Sequence, residues 1–120
     1  MAMPRMTAGM CANGWCPAID LYETDTSLIL YMELSGVAPS SLSVLAEDTS
    51  ITVSGERRCP APEKIDSIHQ LEIERGSFER VVSLPRPVDV ASATSECRDG
   101  ILVITLPLQR NRGKVRIVVE

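Results

Sequence analysis

The sequence predicts an all-β protein, built as an immunoglobulin-like antiparallel β-sandwich of seven to eight short strands. From Pro17 onward, apolar and polar residues alternate in short runs, which is the period of a half-buried strand. Turn residues interrupt these runs about every 8–12 residues, and no stretch has convincing helical periodicity. A chain of 120 residues is long enough for one such domain with a single core.

Four strands are predicted in the first half of the chain. They cover residues 19–22, 27–34, 42–46 and 50–56. The second of them places Leu28, Leu30 and Met32 on one face, because side chains two positions apart point the same way. The turns between the strands fall at residues 24–26, 35–39 and 47–49.

Four more strands are predicted in the second half. They cover residues 68–74, 77–85, 93–97 and 101–107. The first is preceded by a loop with Pro60 and Pro62, which cannot donate to the interior of a sheet. Asp99 and Gly100 separate the last two strands, and this dipeptide between alternating runs indicates a tight hairpin.

The charge distribution argues against nucleic acid as a partner. The net charge is −4, and the single Phe, single Trp and two Tyr provide no platform for stacking bases. Four of the twelve basic residues nevertheless lie in the last eleven positions, at Arg110, Arg112, Lys114 and Arg116. The chain before Arg110 has eight basic and fifteen acidic residues, which favours contact between the tail and the body of this or another copy.

The cytoplasm is the compartment that the sequence favours. No run of apolar residues reaches the length of a membrane span, and the first residues lack the apolar stretch of a signal peptide. Proteins of the cytoplasm keep cysteine reduced, so the four cysteines are expected to be mostly free thiols. They lie at Cys11, Cys16, Cys59 and Cys97.

The sequence shows no arrangement typical of an enzyme, and we expect no catalytic residue, metal or cofactor. His69 is the only histidine and lies in a predicted strand, where exposure to solvent is more common than a role as base or ligand. Cys11 and Cys16 are spaced C-x4-C, but Cys59 and Cys97 are far away, whereas structural zinc sites use two tight pairs. A redox pair of Cys11 and Cys16 stays open as an alternative.

Both ends of the chain carry apolar side chains suited to docking. Val115, Ile117 and Val119 share one face of an extended segment that follows the polar residues 108–113. Residues 1–14 have no regular periodicity and are read as a flexible arm, which contains four methionines. The flexible side chain of methionine fits irregular apolar surfaces.

Five stretches, in the correct order, resemble the small heat-shock protein (α-crystallin domain) family. They are PAIDLYETDTSLILYMELSGV (17–37), ITVSGERR (51–58), HQLEIERGSFERVVSLPRPVD (69–89), ATSECRDGILVITLP (93–107) and the terminal Ile117-Val118-Val119. The fourth matches the family's best-known signature, an Ala, then Gly-x-Leu, then a strand ending in Pro. The resemblance implies a short arm at residues 1–14, an α-crystallin-type sandwich at 15–107 and a C-terminal extension with an Ile-x-Val motif at 108–120.

In that family the terminal motif docks into an apolar groove of a neighbouring subunit. The resemblance therefore assigns an oligomerisation tail to Val115, Ile117 and Val119. It assigns the lining of the groove to Leu42 and Val44 on one strand and to Ala93, Ser95 and Cys97 on the other. A tether of residues 108–116 spans at most ~30 Å, at about 3.3 Å per residue. A tail folded back on its own sheet is the alternative.

The resemblance also implies a homodimer formed by strand exchange. Bacterial and archaeal members exchange the segment after the GERR strand, here residues 57–75, which pairs with the first strand of the partner. The residues assigned to this dimer interface are Ile19, Leu21, Ile68, Leu71, Ile73 and Arg80. An exposed arginine that covers the sheet is the alternative reading of Arg80.

The function implied by the resemblance is that of an ATP-independent holdase, which binds partly unfolded proteins under stress and prevents their aggregation. Met3, Met6 and Met10 of the arm are the expected client contacts. The arm is shorter than is usual in the family, which leaves the dimer as a firmer expectation than the higher homo-oligomer. A CS-type co-chaperone, a structural sandwich subunit, or a small zinc or thiol-redox protein are the alternatives.

Overall fold

The computed structural model describes residues 10–11, 15–110 and 117–120. Within these residues the chain forms eight β-strands and two short 3-10 turns. The strands are β1 (Met10–Cys11), β2 (Ile19–Glu23), β3 (Ser27–Glu33), β4 (Ser43–Glu47), β5 (Ser50–Arg57), β6 (Gly76–Ser83), β7 (Thr94–Arg98) and β8 (Ile101–Pro107). The 3-10 turns cover Pro39–Ser41 and Val90–Ser92, so the predicted all-β class is confirmed.

The strands form two four-stranded antiparallel sheets. The strand order is β1-β6-β5-β4 in the first sheet and β2-β3-β8-β7 in the second. The register between β3 and β8 pairs Leu30 with Ile104, and that between β5 and β6 pairs Val53 with Arg80. One core cluster contains buried side chains from both sheets, such as Leu30 of β3 and Val53 of β5. The two sheets therefore pack face to face, as the predicted sandwich requires.

The core consists of the side chains that alternate inward along the central strands. Leu28, Leu30 and Met32 of β3 are completely buried, as the alternation predicts. The other fully or nearly fully buried apolar side chains are Trp15, Leu34, Ile51, Val53, Phe78, Val82, Leu84, Val88, Leu102, Ile104 and Leu106. Burying one such side chain contributes about 1.5–3 kcal/mol to folding.

The hairpin between β7 and β8 turns at Asp99 and Gly100, as predicted. Both residues have positive φ, of 52° and 79°. A Cβ atom on Gly100 would lie 2.8 Å from Oγ of Ser35 and 3.2 Å from its Cα. Glycine is therefore required at this position both by the backbone conformation and by the close approach of the preceding turn.

The predicted strand over residues 68–74 is wrong for this chain. The segment between β5 and β6, residues 58–75, contains no strand, and its apolar side chains are exposed. A strand needs a neighbour that accepts its backbone hydrogen bonds, and no other strand of the described chain lies beside this segment. Among the described residues, no helix is long and apolar enough to cross a membrane.

Candidate functional site

The two strands assigned to the groove, β4 and β7, are the outermost strands of their sheets at the same side of the sandwich. The backbone N–H of Val88 donates to the carbonyl of Asp48, just after β4, at 2.8 Å. That of Asp89 donates to the carbonyl of Pro107 at 2.7 Å. Residue 48 and the 3-10 turn before β7 also line one cavity of about 590 Å³. These contacts place the end of β4 beside the turn that precedes β7, and the cavity there is lined by none of the five residues assigned to the groove.

The inner faces of these two edges remain open to solvent. Val44 is paired with Val53, a core residue, so its side chain points inward, yet it is 41% exposed. Ser95 and Cys97 are paired with the buried Ile104 and Leu102, and both are exposed as well. Side chains that point inward on both edge strands and stay exposed indicate a cleft between the edges, because nothing in the described chain fills it.

The floor of this cleft is formed by side chains that pack against the core. Leu42 and Ala93, both assigned to the groove, are half-buried against the core cluster. Ala46 is half-buried in the same way and was not singled out from the sequence. It is paired with the buried Ile51, so counting two positions on from Val44 would have found it.

The end of the tail lies away from the sandwich of its own chain. Ile117 is 82% exposed and Val119 is 91% exposed, and residues 117–120 form no strand. The described residues 117–120 are therefore not folded back as a strand on their own sheet. Val115, the third predicted tail residue, lies outside the described residues.

The tether in front of the tail is shorter than the sequence suggested. Leu108 forms an antiparallel bridge with Val88, and its N–H donates to the carbonyl of Thr26 at 2.9 Å. The N–H of Gln109 donates to the carbonyl of Pro87 at 3.0 Å. Because these two residues are held by the body, the chain between them and the described end of the tail consists of residues 110–116. They reach at most ~23 Å, at about 3.3 Å per residue.

Five of the six residues assigned to the dimer interface lie in two different segments, β2 and the segment between β5 and β6. Ile19 and Leu21 are half-buried on β2, the outer strand of the second sheet, and pack against the core. Ile68, Leu71 and Ile73 are all more than half exposed, in the segment that forms no strand. Ile65 is exposed in the same segment, although the sequence did not single it out as an interface residue. The segment therefore presents four large aliphatic side chains to solvent.

Arg80 is buried inside the sandwich of its own chain. It is only 5% exposed, and its Nη1 donates to the carbonyl of Pro17. Its Nε has no hydrogen-bond partner among the described residues, and burial lowers the pKa of the guanidinium. The reading of Arg80 as an exposed surface arginine is wrong, because the side chain joins β6 to the segment before β2. Its role at a dimer interface stays a prediction.

An aromatic cluster holds the two ends of the exposed segment together. Trp15 is buried, its Nε1 donates to the carbonyl of Gly76 at 2.9 Å, and its ring lies 5.1 Å from that of Phe78 in an edge-to-face arrangement. The guanidinium of Arg57 lies 3.8 Å above the indole ring. Since Arg57 and Gly76 are paired at the ends of β5 and β6, the cluster fixes the points where the segment leaves and returns.

The sulfur chemistry differs from the sequence-based expectation at two positions. Cys11 and Cys16 form a disulfide, with Cα atoms 5.7 Å apart, so the prediction that they are free thiols is wrong. Cys59 and Cys97 are free. The described residues contain no group of three or more His, Cys, Asp or Glu side chains placed to hold a metal.

The remaining residues considered from the sequence are His69, in the segment between β5 and β6, and the methionines of the arm. His69, considered as a base, is exposed and its Nε2 lies 3.4 Å from Oγ of Ser67. Met3 and Met6 lie outside the described residues. Met10 belongs to β1, which pairs with β6.

Two stacked antiparallel sheets with an open cleft between their edge strands define a β-sandwich of the α-crystallin type. The chain matches the model of the Hsp20/alpha crystallin family over residues 20–119 and belongs to this family. It is 31% identical over 100 residues to small heat shock protein C2 of Rickettsia felis. The matched residues cover 83% of this chain and 64% of that protein. The 17.6 kDa class I heat shock protein 1 of Arabidopsis thaliana is 28% identical over 119 residues, which cover 98% of this chain and 75% of that protein.

Solved structures show the same fold. A small heat-shock protein from Xylella fastidiosa, described as having a distinct high order structure, has a TM-score of 0.73 and 27% identity. The match covers 90% of this chain and 99% of that one. The hspA protein from Xanthomonas axonopodis has a TM-score of 0.70 and 29% identity, over 81% of this chain and 97% of that one.

Proposed function

We propose that this protein is an ATP-independent holdase of the cytoplasm, which binds partly unfolded proteins and keeps them from aggregating. The observation that carries the proposal is the open cleft between β4 and β7, together with an exposed aliphatic tail in the same chain. A folded domain that keeps large apolar surfaces exposed has them for contact with other polypeptides. The family to which the chain belongs and the heat-shock names of its relatives support this reading.

The tail and the cleft are proposed to connect neighbouring subunits. Ile117 and Val119 would occupy the cleft lined by Leu42, Val44 and Ala46, with Ala93, Ser95 and Cys97 on the facing edge. A tether of at most ~23 Å limits this contact to an adjacent subunit. Each side chain gains at most ~1.5–3 kcal/mol on burial, and association consumes much of this gain. A single contact is therefore weak and opens readily on heating.

The dimer is proposed to form through the exposed segment between β5 and β6. Among the described residues, no strand pairs with the outer edge of β2, and the segment carries Ile65, Ile68, Leu71 and Ile73 on its surface. An extended segment of a second copy can add to such an edge through backbone hydrogen bonds. Strand exchange would thereby give residues 68–73 the neighbour that they lack within one chain.

Client proteins are proposed to bind where apolar surface becomes free. When a tail leaves the cleft, both the tail and the cleft can contact exposed hydrophobic segments of an unfolding protein. The arm methionines Met3, Met6 and Met10 are proposed to add flexible contacts of low specificity. Binding of this kind requires no catalytic residue and no nucleotide.

Aggregation of a heat-labile enzyme, followed by light scattering with and without ATP, tests this function. We expect the full chain to suppress scattering at near-equimolar amounts, equally with and without nucleotide. Val44→Lys should weaken tail binding and change the suppression, whereas Leu45→Lys should not, because Leu45 is exposed on the opposite face of β4. A full chain that leaves aggregation unchanged at a large excess would contradict the holdase function. A monomer that lacks suppression would favour the co-chaperone alternative.

A further inference from the structure

The short strand β1 covers an edge of the first sheet. On one side, β6 pairs with β5 along its whole length. On the other side its only neighbour among the described residues is β1, with Met10 opposite Val81 and Cys11 opposite Arg80. Without β1, the outer backbone groups of β6 at Arg80 and Val81 would be unpaired, and such an edge can accept an added strand.

Backbone pairing alone holds β1 only weakly. The strand has two residues, and the net gain from each backbone hydrogen bond is no larger than the entropy lost on ordering one residue. A strand of this length therefore needs a further constraint to stay in register. The disulfide between Cys11 and Cys16 supplies this constraint, because it joins β1 to a segment that is held firmly.

The segment around Cys16 is anchored on β6 by its two neighbours in sequence. Trp15 is buried and its indole N–H donates to the carbonyl of Gly76, the first residue of β6. Pro17 is also buried, and its carbonyl accepts from the guanidinium of Arg80. Cys16 is thus fixed relative to β6, and the bond to Cys11 transmits this position to β1.

We propose that the Cys11–Cys16 disulfide is a reversible latch, and that its reduction by a dithiol uncovers the outer edge of β6 at Arg80 and Val81. A thiolate of the reductant attacks one sulfur of the pair and forms a mixed disulfide, and its second thiol then releases the protein. Two electrons pass to the pair, which becomes two thiols, while the dithiol becomes a disulfide. Both cysteines are partly exposed, so a reductant can reach the bond.

The size of the effect follows from the length of the closed loop. The bond closes a loop of about six residues, for which the loop-closure relation gives a stabilisation of the closed form on the order of 40-fold. Reduction should therefore raise the population of chains with an uncovered β6 edge by up to about this factor. Any link between release of β1 and client binding by the arm rests on the proposed function, whereas the latch does not.

Hydrogen–deuterium exchange of the full chain, without any client, tests the latch. We use a Cys59→Ser, Cys97→Ser background, because these two free thiols would otherwise form bonds between chains. After oxidation with oxidised glutathione, the peptide that contains Arg80 and Val81 should exchange slowly. After treatment with dithiothreitol it should exchange up to about 40-fold faster. Peptides from β3, which is central in the other sheet, should not change.

Further substitution of Cys11→Ser and Cys16→Ser provides the matched control. This chain should exchange rapidly at Arg80 and Val81 in both conditions, as the reduced parent does. Equal exchange in the oxidised and reduced parent would overturn the proposal. It would also be overturned if thiol titration found Cys11 and Cys16 still free after incubation with oxidised glutathione.

Discussion

Replacing the two aliphatic residues of the tail should separate the assembly into dimers without unfolding the sandwich. The change is Ile117→Ser together with Val119→Ser. Both side chains are largely exposed in the single chain, so neither contributes to its core. In a docked tail they would be buried, and their loss removes at most ~3–6 kcal/mol per tail.

The free energy lost per tail decides which assembly remains. Association of two bodies costs about 4–15 kcal/mol in lost freedom, so one tail cannot hold two dimers together by itself. Several tails acting at once can, because after the first contact the next one forms at a high effective concentration. Removing ~3–6 kcal/mol from each of them should therefore abolish the larger particle altogether.

Native mass measured by light scattering is the appropriate assay, with chains of 13.1 kDa as the unit. The parent should exceed a dimer, and the double variant should run as a dimer with an unchanged melting temperature. Val118→Ser is the matched control, because Val118 is similarly exposed but points to the opposite face of the tail. Docking of the tail through Ile117 and Val119 is contradicted if the double variant keeps the mass of the parent, or if Val118→Ser lowers the mass equally.

Three further substitutions test the sandwich itself. Leu30→Ala should lower the free energy of unfolding by about 2–5 kcal/mol, since Leu30 is fully buried in β3. Urea denaturation measures this change. Tyr31→Ala, on the exposed face of β3, should lower the free energy of unfolding clearly less. Gly100→Ala should lower the free energy of unfolding by about 1–3 kcal/mol, because the new Cβ approaches Ser35 too closely and because residue 100 has a positive φ. An unchanged melting temperature would contradict the turn geometry. Trp15→Ala should cost about 3–5 kcal/mol and speed exchange near Gly76, and unchanged exchange there would exclude the anchoring role of the indole.

The strand β3 and the last hairpin are features that local sequence was able to predict in this protein. Alternation predicted β3 over residues 27–34, and the observed strand is Ser27–Glu33 with its inward side chains buried. The Asp99-Gly100 pair predicted the last hairpin, and both residues adopt the positive φ that such a turn needs. These features depend on side-chain direction and turn chemistry, which a short stretch of sequence contains in full.

The candidate cleft could be predicted only in part. Period-two counting places Val44 and Ala46 on the inner face of β4, and the resemblance to the family indicated its partner strand. Their exposure, however, depends on β4 and β7 being the outer strands of their sheets. Strand order is set by contacts between residues that are far apart in sequence, so no local pattern reveals it.

The sequence by itself determined the all-β class, the main core strands and the apolar tail, because each depends on the spacing of neighbouring residues. Only the tertiary structure decided that residues 68–74 have no partner strand among the described residues, that Arg80 is buried against Pro17, and that Cys11 and Cys16 are joined. The physical reason is the same in each case. A hydrogen-bond partner, a buried environment and a sulfur at bonding distance are all supplied by other segments, which come together only when the two sheets pack.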